Sequence, residues 1–163
     1  MGIDPATSVA ILGLICLVAA WADIRSRRLP NWLVLVTVVA GLLSTVRSIH
    51  DPALSSHLLH VGAALVGGFA LFAIGLFGGG DAKFYAALAA WFPLRNGGDL
   101  ALSVSLTGLA LVVVWFFWRR LKGAPLQIRA TEDMAKFPYG VAIAAGAALL
   151  YTRHVPEVWN LVA

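Results

Sequence analysis

The chain consists of long apolar runs separated by short polar or glycine-rich segments. It lacks the alternation of apolar and polar residues that suits a β-barrel, and open strands are not viable in lipid. A helix needs about 20 mostly apolar residues to cross the hydrocarbon core of a bilayer. The runs therefore predict an all-α polytopic membrane protein with six transmembrane helices, at about residues 7–22, 31–46, 58–77, 82–94, 100–118 and 139–152.

The distribution of basic residues predicts the orientation of these helices, because Lys and Arg are enriched in loops that stay in the cytoplasm. Six spans with the N-terminus outside place nine of the twelve basic residues inside. Omitting the short fourth helix would leave four inside and eight outside, unless the segment around Lys83 were a re-entrant loop. Charge therefore favours the fourth span. It also predicts that both termini lie outside and that a polar loop at about residues 119–138 is cytoplasmic.

Composition restricts the class of protein further. Apolar residues make up 60% of the 163 residues and charged residues 12%, and the mean hydropathy is +0.85. A soluble domain is about 45–50% apolar and about 25% charged. A soluble enzyme or a nucleic-acid-binding domain is thus close to excluded, and residues 1–163 are interpreted as a single integral-membrane domain. The six tryptophans lie near the predicted span ends, as expected for interfacial aromatic belts.

Two acidic residues, Asp23 and Asp81, lie where a predicted helix meets the cytoplasmic face. An ionisable residue at such a boundary is a functional hypothesis by default. Each also has a structural explanation, because Asp23 could end a helix and pair with nearby arginines, and Asp81 could cap the helix that follows it. The glycine run at residues 78–80 predicts a bend before Asp81, since glycine reaches backbone angles that other residues avoid.

Two facing aspartates suggest hydrolysis of an amide bond. Carboxyls a few ångströms apart share one proton, because like charges resist joint ionisation. The ionised carboxyl takes a proton from water and the neutral one donates to the peptide carbonyl. The four histidines fall outside or near the outer face, Cys16 is the only cysteine, and no metal-ligand spacing is present. Neither a serine–histidine site nor a metal or other cofactor is therefore expected.

Three segments carry a resemblance to the type IV prepilin peptidases. Residues 23–31, DIRSRRLPN, are similar to the first catalytic motif of that family, in which an Asp is followed some residues later by Ile-Pro-Asn; Leu29 here replaces the usual Ile. Residues 78–83, GGGDAK, resemble its Gly-x-Gly-Asp-x-Lys motif. Residues 137–142, FPYGVA, resemble its Pro-Tyr/Phe-Gly-x-Ala segment.

The resemblance implies an aspartic endopeptidase of the bacterial inner membrane that cleaves the basic leader of type IV prepilins or pseudopilins at the cytoplasmic face. It implies that Asp23 and Asp81 are the catalytic pair. The supporting residues that it implies are Pro30, Asn31, Gly78, Gly80, Lys83, Pro138, Tyr139 and Gly140. Larger family members carry Cys-x-x-Cys motifs linked to N-methylation. This chain has none and resembles the compact form associated with Flp or tight-adherence pili.

Other interpretations stay open at this stage. A preflagellin peptidase or a signal-peptide-peptidase-like protease would use the same pair of acids. The acids could also relay protons in a transporter, or have a structural role in a non-catalytic subunit of a secretion or pilus machine. The expected partners are the substrate and the lipid bilayer, and no nucleic acid. The sequence leaves open which pilin is cut, whether the enzyme methylates it, and whether the enzyme forms a homodimer.

Overall fold

A computed structural model of the chain describes residues 3–45, 52–121 and 139–154. Every regular element in these ranges is helical, which confirms the predicted all-α class for the described residues. The elements are α1 (Pro5–Ser26), α2 (Asn31–Thr45), α3 (Pro52–Ala73), α4 (Gly79–Ala89), a 3₁₀ turn (Leu94–Asn96), α5 (Gly97–Leu121) and α6 (Tyr139–His154).

Three stretches of the described residues are long and apolar enough to cross a membrane: Pro5–Ser26, Ala53–Ala73 and Leu94–Trp118. They support the interpretation as a helical membrane protein. α2 is apolar but shorter. The arrangement of six transmembrane helices therefore stays a prediction.

The third and fourth helices differ in their bounds from the spans predicted at residues 58–77 and 82–94. α3 ends at Ala73, and the chain turns through residues 74–77, where Gly75 has a φ of 78°. The predicted bend thus lies before the glycine run, and Gly79 and Gly80 form the first turn of α4. α4 ends at Ala89 and has 11 residues. At 1.5 Å per residue it is about 16 Å long, roughly half the thickness of a hydrocarbon core.

Both ends of α1 are capped. The side chain of Asp4 accepts a hydrogen bond from the Thr7 N–H at 2.9 Å, and Pro5 stands in the first turn, where its missing N–H costs nothing. At the other end Arg27 adopts the left-handed conformation, with φ 52°, and its N–H donates to the Asp23 carbonyl at 2.9 Å. The chain therefore turns directly after the last helical turn, which contains Asp23.

α4 is enclosed by its neighbours, because it packs against α2, α3 and α6. Trp91, just after α4, is 2% exposed, and its indole N–H donates to the Thr37 carbonyl at 3.0 Å. A Cβ added to Gly41 would lie 2.7 Å from this indole ring, so α2 approaches Trp91 closely. The expectation that all six tryptophans lie at the membrane interface is wrong for Trp91, which belongs to the core.

Side chains of α3 bind the backbone that follows α4. The Nδ1 atoms of His57 and His60 donate to the carbonyl oxygens of Ala90 and Phe92, at 2.8 and 2.9 Å. Ser56 Oγ accepts the Leu94 N–H at 3.0 Å. Non-helical backbone at membrane depth is tolerated where protein groups satisfy it. These bonds therefore stabilise the end of α4 that lies away from Asp81.

α6 packs closely on α5. A Cβ added to Gly146 would lie 2.6 Å from Val104 Cα, and Ser103 Oγ donates to the Gly146 carbonyl at 2.7 Å. Small residues at such contacts let helices approach each other in lipid. α6 also packs on α1, and this second contact brings the start of α6 to the end of α1.

Candidate active site

Asp23 lies in the last turn of α1 and is 6% exposed. Its Oδ2 accepts the backbone N–H of Val141 at 3.3 Å, and the N–H of Gly140 is a second donor. Both N–H groups belong to the first turn of α6, where they have no partner within the helix. The start of α6 therefore satisfies two of its own unpaired donors with this carboxylate, and the helix dipole adds to the attraction.

The arginines after Asp23 are not equivalent. Arg27 lies close enough for its charge to act on the Asp23 carboxyl. The Arg25 guanidinium instead lies over the Trp21 ring, 5.5 Å from its centroid. Of these two arginines, Arg27 is therefore the one that associates with Asp23, as the sequence had suggested for the nearby arginines.

Asp81 is the third residue of α4, and Gly78 is the N-cap. The N–H of Gly78 donates back to the Asp81 carboxylate. An acid at the third position that binds the N-cap N–H is half of a capping box, and it places negative charge at the positive end of the helix. Asp81 therefore stabilises the start of α4, but it does so from the third helical position and not as the N-cap residue.

The Asp81 carboxyl is also affected by Asp23. Asp81 is half-buried and lies outside the three long apolar helices. Burial, and after it the negative charge of Asp23, raise the pKa of Asp81 from 3.8 to about 6, against the opposing hydrogen bond from Gly78. The fold thus places two carboxyls that are 58 positions apart in the sequence within electrostatic range of each other.

Two glycines lie against these carboxyls. A Cβ added to Gly78 would lie 2.7 Å from Asp81 Oδ2, and one added to Gly140 would lie 2.9 Å from both Cγ and Oδ2 of Asp23. Carbon atoms do not approach so closely without displacing their neighbours. A Cβ on Gly80 would meet Leu29 at 3.7 Å, which is an ordinary contact. Gly78 and Gly140 therefore leave room for the acids, whereas Gly80 packs against the segment after α1.

Lys83 and Asn31 connect the two motifs at the surface. Lys83 Nζ lies 3.5 Å from Asn31 Oδ1, and both side chains are exposed. Pro30 precedes α2, and its carbonyl accepts the Leu33 N–H at 3.0 Å. These residues link the start of α4 to the start of α2. Among the described residues, none of the three is hydrogen-bonded to the Asp23 or Asp81 carboxyl.

Tyr139 begins α6 beside the acid pair. Its ring packs on Phe77 with centroids 6.3 Å apart, and it lies within electrostatic range of Asp81. Pro138 lies outside the described residues. Sequence reasoning did not identify Phe77 or the backbone N–H of Val141 as parts of the site. The sequence does place Val141 in the first turn of a predicted helix. Backbone N–H groups in a first turn can bind an anion, and this position could have identified Val141 as part of the site.

The groups at the site are suited to acid–base chemistry. The described residues contain no group of three or more His, Cys, Asp or Glu side chains that could hold a metal ion. Two carboxyls in electrostatic contact can hold one proton between them, and backbone N–H groups fix the orientation of each. The pair can therefore take up a proton at one oxygen and donate a proton from another.

The comparisons with known proteins identify a family. The model of the type IV leader peptidase family matches residues 10–128, a range that contains Asp23, Gly78, Asp81 and Lys83. No curated protein and no solved structure matches the chain. The family match ends before Tyr139. The placement of Gly140 against Asp23 is therefore known from the structure and not from the family match. The match confirms the resemblance seen in the motifs, and the chain belongs to the type IV leader peptidase family, a family of proteases.

Proposed function

We propose that this protein is an aspartic endopeptidase that cleaves the leader peptides of type IV prepilins or pseudopilins, in particular those of Flp or tight-adherence pili. The observation that carries the proposal is the meeting of Asp23 and Asp81, from α1 and α4, beside the start of α6. Family membership supports a leader-peptidase-like protease. The pilus type rests on the sequence resemblance.

The surroundings of the two carboxyls suggest different roles. Asp23 is buried, but the two backbone N–H groups of α6 and the charge of Arg27 favour its charged form. Burial and the charge of Asp23 favour the protonated form of Asp81 and raise its pKa to about 6. Pairs of acids whose environments differ in this way divide into a base and an acid. In this proposal Asp23 is the general base and Asp81 the general acid.

The reaction then has two proton-balanced steps. In the first, a water molecule gives a proton to Asp23 as its oxygen bonds to the scissile carbonyl carbon, and Asp81 gives its proton to the carbonyl oxygen. In the second, the C–N bond breaks as Asp23 passes its proton to the leaving nitrogen. The hydroxyl of the intermediate returns a proton to Asp81. The pair ends with one proton, as it began.

The position of the acids supports cleavage at the cytoplasmic face of the bacterial inner membrane. Asp23 is followed by Arg25, Arg27 and Arg28, and basic residues favour the cytoplasmic side. A basic leader stays in the cytoplasm while the apolar segment after it enters the bilayer, so the bond between them lies at this boundary. The proposed partners are the substrate and the lipids. Both acids come from one chain, so the reaction requires no homodimer.

The direct test is cleavage of a defined probe peptide by the purified protein in lipid vesicles. The probe consists of a short lysine-containing leader, a glycine and about 20 apolar residues that form a membrane helix. We expect one cut at the end of the leader, unaffected by serine-protease inhibitors or EDTA. No cleavage by an inserted, helical protein would contradict the proposal. Loss of cleavage with EDTA, restored by a metal, would contradict the aspartic mechanism.

The same vesicles separate the alternatives. A preflagellin-type or signal-peptide-peptidase-like enzyme would cut a probe with the corresponding leader in preference to the Flp-type leader. A proton-coupled transporter would move protons into the vesicle lumen without cutting. A non-catalytic subunit would do neither.

Cysteine labelling tests the orientation on which the mechanism depends. In a Cys16→Ser background, we expect a cysteine at Ser26 to be protected from a membrane-impermeant thiol reagent in spheroplasts and to react after lysis. A cysteine at Gly98 should react in spheroplasts. Both positions are exposed, and α2, α3 and α4 lie between them. The six-span prediction requires an odd number of crossings between these two positions. Labelling of both from the same side would therefore contradict it.

The raised pKa of Asp81 predicts the pH dependence of cleavage. Asp81 must be protonated to donate in the first step, and its pKa is about 6. Above that pH the protonated fraction falls about tenfold per pH unit, so kcat/KM for the probe should fall with the same slope. Below it, this group no longer limits the rate. A kcat/KM that rises steadily through alkaline pH, in protein whose helicity is unchanged, would contradict the assignment of Asp81 as the acid.

A further inference from the structure

A long groove lies between α3 and α5. α3 packs mainly on α4, α5 packs mainly on α6, and the 3₁₀ turn contacts both α3 and α5 at one end. The space between them is a cavity of about 500 Å³ with Tyr85 of α4 in its lining. Its walls include Ala63, Gly67 and Leu71 of α3, and Ala101 and Ser105 of α5.

A second cavity, of about 250 Å³, continues the groove along α5. Phe77, Val104 and Ser105 line both cavities, so the two spaces adjoin. The α5 lining extends from Gly97 to Val112, a distance of about 22 Å along a helix. Because the hydrocarbon core is about 30 Å thick, the groove follows most of its depth.

The walls of the groove suit an apolar helix. No Asp, Glu, Lys or Arg lines either cavity. Ala63, Gly67 and Ala101 are exposed, and small residues let a second helix approach closely in lipid. A Cβ added to Gly67 would meet no atom within 4 Å, so this glycine faces open space.

One end of the groove lies at the candidate active site. Phe77 and Tyr139 line that end, and Tyr139 is within electrostatic range of Asp81. From there the groove follows α5 back toward Gly97, the end of α5 that is distant from the acids. A helix in the groove would thus have one end at the carboxyls and its length inside the bilayer.

We propose that this groove binds the apolar transmembrane helix of the substrate, with the N-terminal end of that helix at Asp23 and Asp81. The inference rests on the proposed function, because a leader peptidase must hold a peptide whose scissile bond directly precedes an apolar helix. A lipid acyl chain or a second copy of the protein could also fill an apolar space. Neither would account for a groove that ends at the acid pair.

Filling the groove tests the proposal. A Cβ at Gly67 would meet no atom within 4 Å, so Gly67→Leu extends a side chain from this position into the groove. Gly62→Leu is the matched control, because Gly62 is an exposed glycine of the same helix that also meets no atom within 4 Å and lines neither cavity. For the probe with its apolar helix, we expect kcat/KM to fall roughly tenfold or more with Gly67→Leu. With Gly62→Leu it should stay within about twofold of wild type.

A shortened probe separates docking from catalysis. It keeps the leader and the glycine but only a few of the apolar residues that follow. We expect Gly67→Leu to cut it as fast as the wild type does. Equal wild-type and Gly67→Leu rates on the long probe, or equal losses on both probes, would overturn the groove and leave the proposed function standing. No cleavage of either probe by the wild type would instead overturn the proposed function.

Photo-crosslinking identifies the occupant independently of turnover. A photoreactive residue at Ser105, which lines both cavities, should crosslink to the long probe in the Asp81→Asn background, where we expect cleavage to be at least about 100-fold slower. The same residue at Leu106, which is 61% exposed on the same helix and lines neither cavity, should not. Adducts at Ser105 with lipid alone, or with a second copy of the protein, would overturn the proposal.

Discussion

Replacing either aspartate by asparagine, Asp23→Asn or Asp81→Asn, should lower kcat/KM for leader cleavage by about 10²–10⁴-fold or more. An amide has nearly the shape of a carboxyl but cannot exchange a proton with water or with the peptide. Each variant leaves one proton-transfer group where the reaction needs two. The measurement is the rate of probe cleavage by each purified variant in vesicles.

A structural role for Asp81 is the main competing explanation, because the carboxylate binds the Gly78 N–H at the start of α4. Loss of a helix-end hydrogen bond costs about 0.5–2 kcal/mol of stability and leaves the helix otherwise intact. Thermal unfolding of the variants therefore reports the structural effect separately. Asp99→Asn is a matched control, because Asp99 binds Asn96 in another part of the fold. Near-wild-type cleavage by either Asp23→Asn or Asp81→Asn would disprove the acid pair.

Gly140→Ala should lower kcat/KM by about 100-fold, because displacing a catalytic group by about 1 Å can have that effect. The added Cβ would lie 2.9 Å from the Asp23 carboxyl carbon, and the carboxyl would have to move away from the Val141 N–H. The substitution changes neither acid chemically. It tests whether the start of α6, which lies beyond the family match at residues 10–128, positions Asp23.

The control for this substitution is Gly13→Ala in α1. Gly13 is also helical, and a Cβ there would meet no atom within 4 Å. It should therefore cleave at the wild-type rate and unfold at the same or a slightly higher temperature, since Ala is the better helix former. A Gly140→Ala protein with wild-type kcat/KM would show that Asp23 does not need its present position.

Two helix starts that directly follow a proline were well predicted, whereas α3 begins at Pro52, six residues before the predicted residue 58. α2 begins at Asn31 and α6 at Tyr139, as expected, and each follows a proline in the sequence. The end of α3 was missed because residues 74–77 are apolar apart from Gly75, and hydropathy does not record backbone angles. The positive φ of Gly75 ends the regular structure there. The bend was predicted at the glycine run because glycines favour bends, but two of these three glycines are helical.

The acids themselves could be found from the sequence because their motifs are local. Their supports could not, because Val141 is 118 positions from Asp23 and meets it only through the packing of α6 on α1. Trp91 was misplaced for a similar reason. A tryptophan near the end of an apolar run suits the interface, and only the approach of α2 and Tyr151 puts this one in the core.

The hydrogen bonds from Ser56, His57 and His60 to the backbone after α4 have a consequence for membranes of different thickness. A helix that reaches both headgroup layers must tilt or shift when the bilayer becomes thinner or thicker. α4 is short, enclosed by other helices, and bonded at its far end to α3. The height of Asp81 is therefore set by protein contacts. Lipids with longer or shorter acyl chains should tilt the outer helices while the spacing between the two carboxyls stays constant.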